Sequence, residues 1–256
     1  MRAIWKGSIS FGLVNIPVKL YAATQQSTLD FDLVDKRDMG KVKYKRVNEN
    51  TGQELAPENI GKAYMYNSDY ILVEDEDFEA AAPEKSKVIA INSFVGEKEI
   101  DTIYFENSYY LEPEKSGEKA YALLREALHK SGKVGLAQFI LRTSETLSIL
   151  KPKDNVLVLS KIRFAEEIRS VEELKLPAKS LIKPDEIKMA LELVNQYTVP
   201  FRIEKFRDEY SAALRKVIEN RATGKKSKVR KLTVTYAKTD NLIDQLKASL
   251  ERKKAS

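Results

Sequence analysis

The sequence predicts a protein of the α+β class that is mainly β, with a strand-rich core followed by a helical arm and a basic tail. Apolar and polar residues alternate along most of the first 110 residues, as half-buried strands require. Apolar residues recur at helical spacing in 117–131 and again after residue 184. The chain of 256 residues is long enough for one sizeable domain with an appendage, or for two domains.

The strand-rich part begins with two alternating segments. In SISFGL, small residues separate Ile9, Phe11 and Leu13, and in NIPVKLY the position of Pro17 indicates an edge or a bulge. Turns are expected at KRDMG and NENTGQ. The further predicted strands are TLDFDLVD, GKVKYKR, SDYILVED, KVIAINSFV and TIYFENSYYLEP, and then the meander GLAQFILRT, TLSILK and NVLVLSKIRF.

Helical periodicity marks the remaining elements. Acids open a short helix in DEDFEAA, and Gly132 stands where a left-handed cap should end the helix at 117–131. Pro184 opens the helix DEIKMALELVNQY, and IEKFRDEYSAALRKVIEN forms another. The helix at 117–131 has a predicted apolar face of Ala120, Leu123, Leu124, Ala127 and Leu128. The helix IEKFRDEYSAALRKVIEN has a predicted apolar face of Phe206, Tyr210, Leu214 and Val217.

The C-terminal region is basic and ends in an amphipathic helix. RATGKKSKVRK indicates a linker, KLTVTYA an extended piece, and DNLIDQLKASLERKK a helix. The apolar stripe of this helix could dock on the core or on another protein, and the sequence leaves both open.

Residue types exclude several kinds of chemistry. The chain has no cysteine, which excludes disulfides, thiolate catalysis and cysteine-bound zinc. Its single histidine, His129, excludes a histidine-rich metal site, and its position in the last turn of a helix favours interaction with the helix dipole over catalysis. No phosphate-binding glycine loop of known spacing and no nucleophile elbow occurs.

Localisation follows from two further absences. No apolar run approaches the roughly 20 residues of a membrane span. The N-terminal stretch MRAIWKGSISFGLVNIP lacks the cleavage site of a signal peptide. We therefore expect a cytoplasmic protein that does not contact membranes.

Charge is strongly sorted along the chain. The formal charge is +6, but residues 221–256 hold a net +8 and residues 1–220 a net −2. Residues 36–46 contain six basic residues against one acid, whereas residues 74–114 contain twelve acids against three lysines. Such sorting offers a polyanion one attractive surface and repels it elsewhere.

The segment GKVKYKR at 40–46 has a lysine at every second position. In an extended chain Lys41, Lys43 and Lys45 share one face and stand about 6.6 Å apart. Such a row could follow a phosphate backbone, or it could be the solvated face of a sheet, which is the commoner role of charged runs.

Two other clusters suggest alternative functions. The acids at 74–79 could hold Mg²⁺ in a metal-dependent nuclease, but a contiguous run scatters its carboxylates around a helix and is typical of a helix N-terminus. A set of aromatic residues could stack on single-stranded nucleic acid in a generic barrel-type binder, although sheet packing also explains them. The acids are Glu74, Asp75, Glu76, Asp77 and Glu79; the aromatic residues are Tyr64, Tyr66, Tyr70, Tyr104, Phe105, Tyr109 and Tyr110.

The N-terminal stretch MRAIWKGSISFGLVNIPVKLY closely resembles the start of prokaryotic Ku, the DNA-end-binding protein of bacterial non-homologous end joining. The match continues in order through KVKYKRV, YYLEPEKSGEKAYALLREAL, GLAQFILR and FRDEYSAAL, and it covers roughly residues 1–224. The resemblance implies a Ku-type β-barrel core with arms that join two copies into a dimeric ring around a duplex end. It also implies a protein that is not an enzyme and uses no cofactor.

The resemblance further implies partners and a domain plan. The partners are double-stranded DNA ends of any sequence, a second copy of the chain and an ATP-dependent DNA ligase, and the place of action is the nucleoid. We expect a barrel core with a DNA-bridging arm at 1–180, a helical arm at 181–224, and a basic linker with a terminal helix at 225–256.

The same resemblance shifts the interpretation of the basic segment toward DNA. The predicted phosphate contacts are Lys36, Arg37, Lys41, Lys43, Lys45 and Arg46, followed by Arg142, Lys151 and Lys153. The predicted dimer arm contains Phe206, Tyr210 and Leu214. The predicted partner-binding tail contains Lys225, Lys226, Lys228, Arg230, Lys231, Leu242, Ile243, Leu246 and Leu250.

The chain departs from some members of that family at two points. Asn48 and Thr51 stand where those members carry Cys-x-x-Cys after the basic segment, so we predict no metal site. The tail after Lys225 is shorter than their long lysine-rich tails.

Overall fold

The computed structural model describes residues 1–81, 87–141, 144–225 and 242–254. The chain divides into two compact units. The first comprises Met1–Ser27 and Asp32–Ser170, and the second comprises Thr28–Phe31 and Val171–Ser256. The predicted three-part division of the chain stays a prediction.

The first unit is built mainly of strands, as the alternating sequence predicts. Their bounds are β1 (Trp5–Phe11), β2 (Val14–Ala22), β3 (Lys62–Tyr66), β4 (Asp69–Val73), β5 (Val88–Gly96), β6 (Phe105–Pro113), β7 (Lys133–Leu141), β8 (Ser144–Lys153) and β9 (Val156–Ile162). Within the described residues, seven of these strands form a closed barrel in the order β1-β2-β6-β9-β8-β7-β5. The barrel closes through a parallel pairing of β1 with β5, and the other six pairs of neighbouring strands in the barrel are antiparallel.

Strand β2 shows the alternating burial that the sequence predicts. On β2, Ile16, Val18 and Leu20 are fully buried and the residues between them are more exposed, which is the period of two that a strand with one apolar face requires. The main apolar cluster contains Ile9, Ile16, Val18, Leu20, Ile89, Leu111, Ala137, Phe139, Leu150, Leu157 and Leu159.

Helix α2 (Glu118–Ser131) completes this core, and Gly132 ends it with a φ of 62° as predicted. Its buried face is Tyr121, Leu124 and Leu128, whereas Leu123 is 69% exposed, so the predicted face was partly wrong. Tyr121 belongs to the buried face because the Tyr121 hydroxyl has two buried hydrogen-bond partners. It donates to the Leu111 carbonyl at 2.7 Å and accepts from the Leu157 N–H at 2.7 Å.

The predicted strands TLDFDLVD and GKVKYKR do not form ladders. In segment 32–55, all of which the structure describes, two short hairpins follow each other, and each contains one isolated bridge, Val34↔Lys41 and Val47↔Glu54. The turns at 35–40 and 48–53 occupy half of this segment, so the arms are too short to build a continuous ladder.

Strands β3 and β4 form a separate two-stranded sheet. Asn67 and Ser68 both have positive φ (46° and 74°), the combination that a tight two-residue hairpin turn requires. The short helix α1 (Asp75–Ala81) follows, as the acids of DEDFEAA predict.

The described part of the second unit contains three helices: α3 (Pro184–Tyr197), α4 (Glu209–Ala222) and α5 (Leu242–Lys254). Helix α3 contacts α5, so the terminal helix packs on the helical arm of its own chain. Helix α4 begins at Glu209, later than predicted, because the Asp208 carboxylate caps the Ser211 N–H at 2.9 Å. Most of the predicted linker and the extended piece KLTVTYA lie outside the described residues. No helix among the described residues is both long and apolar enough to cross a membrane.

Candidate nucleic-acid interface

The first hairpin, residues 32–42, presents the start of the basic segment. Its arms are joined by the bonds Asp35 N–H to Gly40 O (2.8 Å) and Val42 N–H to Leu33 O (2.9 Å). The Asp35 carboxylate accepts from the Arg37 guanidinium at 2.5 and 3.0 Å and from the Arg37 backbone N–H. These bonds, chiefly that of the guanidinium, lower the pKa of Asp35.

The second hairpin, residues 46–55, turns at 48–53, where the segment NENTGQ predicts a turn. The Asn48 side-chain oxygen accepts from the Asn50 and Thr51 N–H groups at 2.9 and 3.1 Å, and Gly52 has a φ of 68°. An asparagine side chain that bonds its own backbone two residues on stabilises such a turn.

Two lysines of the basic segment form ion pairs across these hairpins. Lys41 Nζ lies 2.8 Å from Asp32 Oδ2, and Lys45 Nζ lies 2.6 Å from Glu54 Oε2. All four side chains are more than half exposed. The pairs therefore face solvent, where a phosphate could reach the lysines.

The other four cations of the basic segment differ in whether a carboxylate pairs with them. Lys36, Lys43 and Arg46 form no ion pair with any described residue, and Arg37 is held by Asp35. The structure thus places the six predicted residues on and between two exposed hairpins, and among the described residues three of these cations are paired and three are unpaired.

The second predicted group lies on the barrel wall. Lys151 and Lys153 are on β8 and border a cleft of about 540 Å³ together with Tyr110. Lys151 is paired with Glu97 at 2.7 Å, whereas Lys153 has no ion-pair partner in the described part of the chain. Arg142, the remaining predicted contact, lies outside the described residues.

Sequence reasoning missed a further cationic group on strand β9. Lys161 and Arg163 both lie 2.8 Å from the Glu106 carboxylate. The Lys161 hydrogen bond and the two positive charges lower the pKa of Glu106 against the opposing effect of its burial. The signal was the run Lys-Ile-Arg, which places two cations on the side of the strand opposite the buried Ile162.

Three of the predicted aromatic residues are exposed on the β3–β4 hairpin, Tyr64 and Tyr66 on one face of the sheet and Tyr70 on the other. Tyr64, Tyr66 and Tyr70 are 62–73% exposed, so sheet packing within this chain does not explain them. Lys62 lies over the Phe78 ring at 4.6 Å and connects helix α1 to the hairpin.

The acid cluster at 74–79 forms the start of a helix. The Asp77 carboxylate accepts from the Glu74 N–H at 2.9 Å. Among the described residues, no three acidic or histidine side chains come together in a way that could hold a metal ion. This geometry favours helix capping over nuclease chemistry.

The predicted dimer-arm and tail residues lie in the second unit. Phe206 and Tyr210 are 74% and 76% exposed, and Leu214 is half-buried. Phe206 precedes helix α4 and is not part of its stripe. On α5, Leu242 is exposed, and Ile243, Leu246 and Leu250 are half-buried. Lys225 is exposed, whereas Lys226, Lys228, Arg230 and Lys231 lie outside the described residues.

Comparison with known protein families gives a match to the Ku70/Ku80 beta-barrel domain over residues 10–189. That range includes all seven strands of the closed barrel, apart from the start of β1, and both basic hairpins.

Individual relatives match over nearly the whole chain. A protein called non-homologous end joining protein Ku from Coxiella burnetii is 40% identical over 98% of this chain and 95% of its own length. A protein of the same description from Archaeoglobus fulgidus is 40% identical over 98% and 99%. Another from Bacillus subtilis is 37% identical over 98% and 82%.

Proposed function

This chain belongs to the Ku family, and we propose that it binds double-stranded DNA ends of any sequence in double-strand break repair by non-homologous end joining. One observation carries the proposal. The range that matches the Ku barrel domain contains nearly all of the closed barrel and both exposed basic hairpins. The proposed place of action is the nucleoid in the cytoplasm.

The proposed assembly is a homodimeric ring. A half-ring must leave apolar surface for its partner copy, and large exposed apolar patches on a soluble chain mark such contacts. Phe206 and Tyr210 in the second unit, and Tyr64 and Tyr70 on the β3–β4 hairpin, supply surface of this kind.

The proposed DNA contacts are to phosphate and sugar. An end-joining factor must accept any sequence, so base-edge readout is unnecessary. The unpaired cations Lys36, Lys43, Arg46 and Lys153 are the first candidates, because they can neutralise a phosphate without first losing a carboxylate. The proposed role needs neither a metal nor a catalytic residue.

The test compares linear duplex with covalently closed circular duplex of the same sequence in a gel-shift experiment. A threaded ring requires a free end, so we expect binding to the linear form and little to the closed circle. Equal affinity for both forms would contradict end binding and favour a generic nucleic-acid binder. Magnesium-dependent cleavage that Asp75→Ala or Asp77→Ala abolishes would favour a nuclease instead.

We also propose that the C-terminal region recruits an ATP-dependent DNA ligase. A chain that stops at Gly224 lacks the basic linker and helix α5, and we expect it to bind ends at low salt but to stimulate the ligase far less. A cationic segment adds sequence-independent attraction to DNA but not the topological hold of a ring. Full stimulation by the shortened chain would place recruitment elsewhere, and lost end binding at low salt would make the tail part of the DNA site.

A further inference from the structure

The two hairpins place acids beside half of the cations of the basic segment. Residues 36–46 contain six basic residues against one acid, but the two hairpins together, residues 32–55, contain six basic residues against five acids. The hairpins bring Asp32 and Glu54, which lie outside the basic run, onto its lysines. The surface offered to a polyanion is therefore nearly neutral in net charge.

The two ion pairs form a symmetric arrangement. Lys41 and Lys45 each lie two residues from Lys43, and each pairs with an acid nine residues away on the opposite arm of its hairpin. Asp32 and Glu54 consequently lie eleven residues on either side of Lys43. The repeated geometry covers the outer two lysines of the row and leaves the central one unpaired.

We propose that Asp32 and Glu54 are affinity-limiting residues that compete with DNA phosphates for Lys41 and Lys45. This inference rests on the proposed function of the hairpins as a DNA-contacting surface. A lysine that keeps its carboxylate neutralises no phosphate. A lysine that moves to a phosphate leaves an uncompensated carboxylate well within a Debye length of about 8 Å from the polyanion. Either route lowers sequence-independent adhesion.

The consequence is selectivity for ends over the DNA interior. Electrostatic contact to phosphates supplies essentially all non-specific binding, and it acts equally on closed and linear duplex. A ring that encloses the duplex is retained by topology and does not need strong adhesion. Two carboxylates that weaken adhesion therefore raise the ratio of end-dependent to end-independent binding.

The test uses the double variant Asp32→Asn with Glu54→Gln and a control with the same charge change. The control, Glu49→Gln with Glu58→Gln, removes two exposed acids that form no ion pair in the described part of the chain. Affinity for a short linear duplex is measured by fluorescence anisotropy between about 50 and 200 mM salt, the range over which phosphate contacts show their salt dependence.

We expect the Asp32/Glu54 variant to bind more tightly and to steepen the slope of log K against log salt by up to about 1.8, since each new phosphate contact adds about 0.9. Its gain in affinity should be about tenfold larger at 50 mM than at 200 mM salt. A closed circular competitor should also displace the linear duplex more effectively. The control should move the slope by much less.

A second set of variants measures how much the central lysine and the two paired lysines each contribute to the salt dependence of DNA binding. Lys43→Ala should flatten the wild-type slope by about 0.9, whereas Lys41→Ala with Lys45→Ala should change it little in wild type and reverse the gain in the Asp32/Glu54 variant. Thermal melts check that all variants fold.

Two results would overturn the proposal. An equal effect of the control would mean that net charge alone acts. Weaker binding of the Asp32/Glu54 variant would mean that the acids position the lysines instead of restraining them. End binding is tested separately with wild-type protein on linear and closed duplex. A failure of the end-binding proposal can therefore be distinguished from a failure of the proposal that Asp32 and Glu54 limit affinity.

Discussion

Tyr121 connects three elements of the barrel through one hydroxyl group. It lies on helix α2, donates to Leu111 O on β6 and accepts from Leu157 N on β9. Burial raises the pKa of this hydroxyl, so it stays protonated and able to donate across the physiological pH range.

We predict that Tyr121→Phe destabilises the fold by about 1–3 kcal/mol, because it leaves a buried N–H and a buried carbonyl without their side-chain partner. Urea unfolding measures the change. Tyr109→Phe is the control, since its partly buried hydroxyl forms no hydrogen bond among the described residues. Equal effects of the two substitutions would contradict the bridging role.

Glu106 gives the fold a predictable pH dependence. Lys161 and Arg163 hold the pKa of Glu106 below its ordinary value of 4.5, so the folded state binds this proton less tightly than the unfolded chain. The ion pairs therefore stabilise the fold fully above pH 4.5 and lose this effect as the pH falls through the lowered folded value.

Glu106→Gln should accordingly cost about 1 kcal/mol at pH 7, with the difference from wild type shrinking toward pH 3. Denaturant unfolding at several pH values measures it. Glu166→Gln removes the same charge from an exposed position and should cost little at any pH. A cost for Glu106→Gln that is constant down to pH 3 would show that packing, and not charge, is responsible.

At the scale of elements, helix α5 depends on its contact with α3. Its stripe is half-buried at Ile243, Leu246 and Leu250, and most of its other described side chains are exposed. The sequence left open whether this stripe docks on the core or on another protein, and the structure packs it instead on helix α3 of the helical arm.

Leu246→Asp should release α5, because an unpaired carboxylate in an apolar contact costs more than 1.4 kcal/mol. We expect its amide hydrogens to exchange roughly tenfold faster or more. Ala248→Asp introduces the same charge at an exposed position and should leave exchange close to wild type. Unchanged exchange in Leu246→Asp would contradict the α3–α5 contact.

For the whole molecule, the proposed homodimer is supported by apolar surface that one chain leaves uncovered. Phe206 and Tyr210 are about three-quarters exposed, which is costly for a soluble monomer. Light scattering at micromolar concentration should give about twice the 29.2 kDa mass of one chain.

Phe206→Asp with Tyr210→Asp should shift the protein toward monomer, because two carboxylates would then have to be buried in the apolar contact between the two copies. Ala212→Asp with Ala213→Asp adds the same charge at exposed positions of α4 and should preserve the dimer. A monomer in wild type, or equal dissociation of both variants, would contradict the proposed contact.

The sequence by itself determined the barrel strands, helix α2 with its cap at Gly132, and the family. Alternation with a period of two and helical periodicity are local properties, so they can be recognised without coordinates. The match to Ku extends along the chain in order and needs no knowledge of contacts.

Only the tertiary structure decided which cations are available. The basic run at 36–46 looks strongly positive because a linear count cannot see residues on the opposite arm of a hairpin. Folding places Asp32 and Glu54 on Lys41 and Lys45, whereas Lys43 has no ion-pair partner in the part of the chain that the structure describes. Long-range pairing likewise decided the parallel closure of β1 on β5 and the two partners of Tyr121, since each joins residues far apart in sequence.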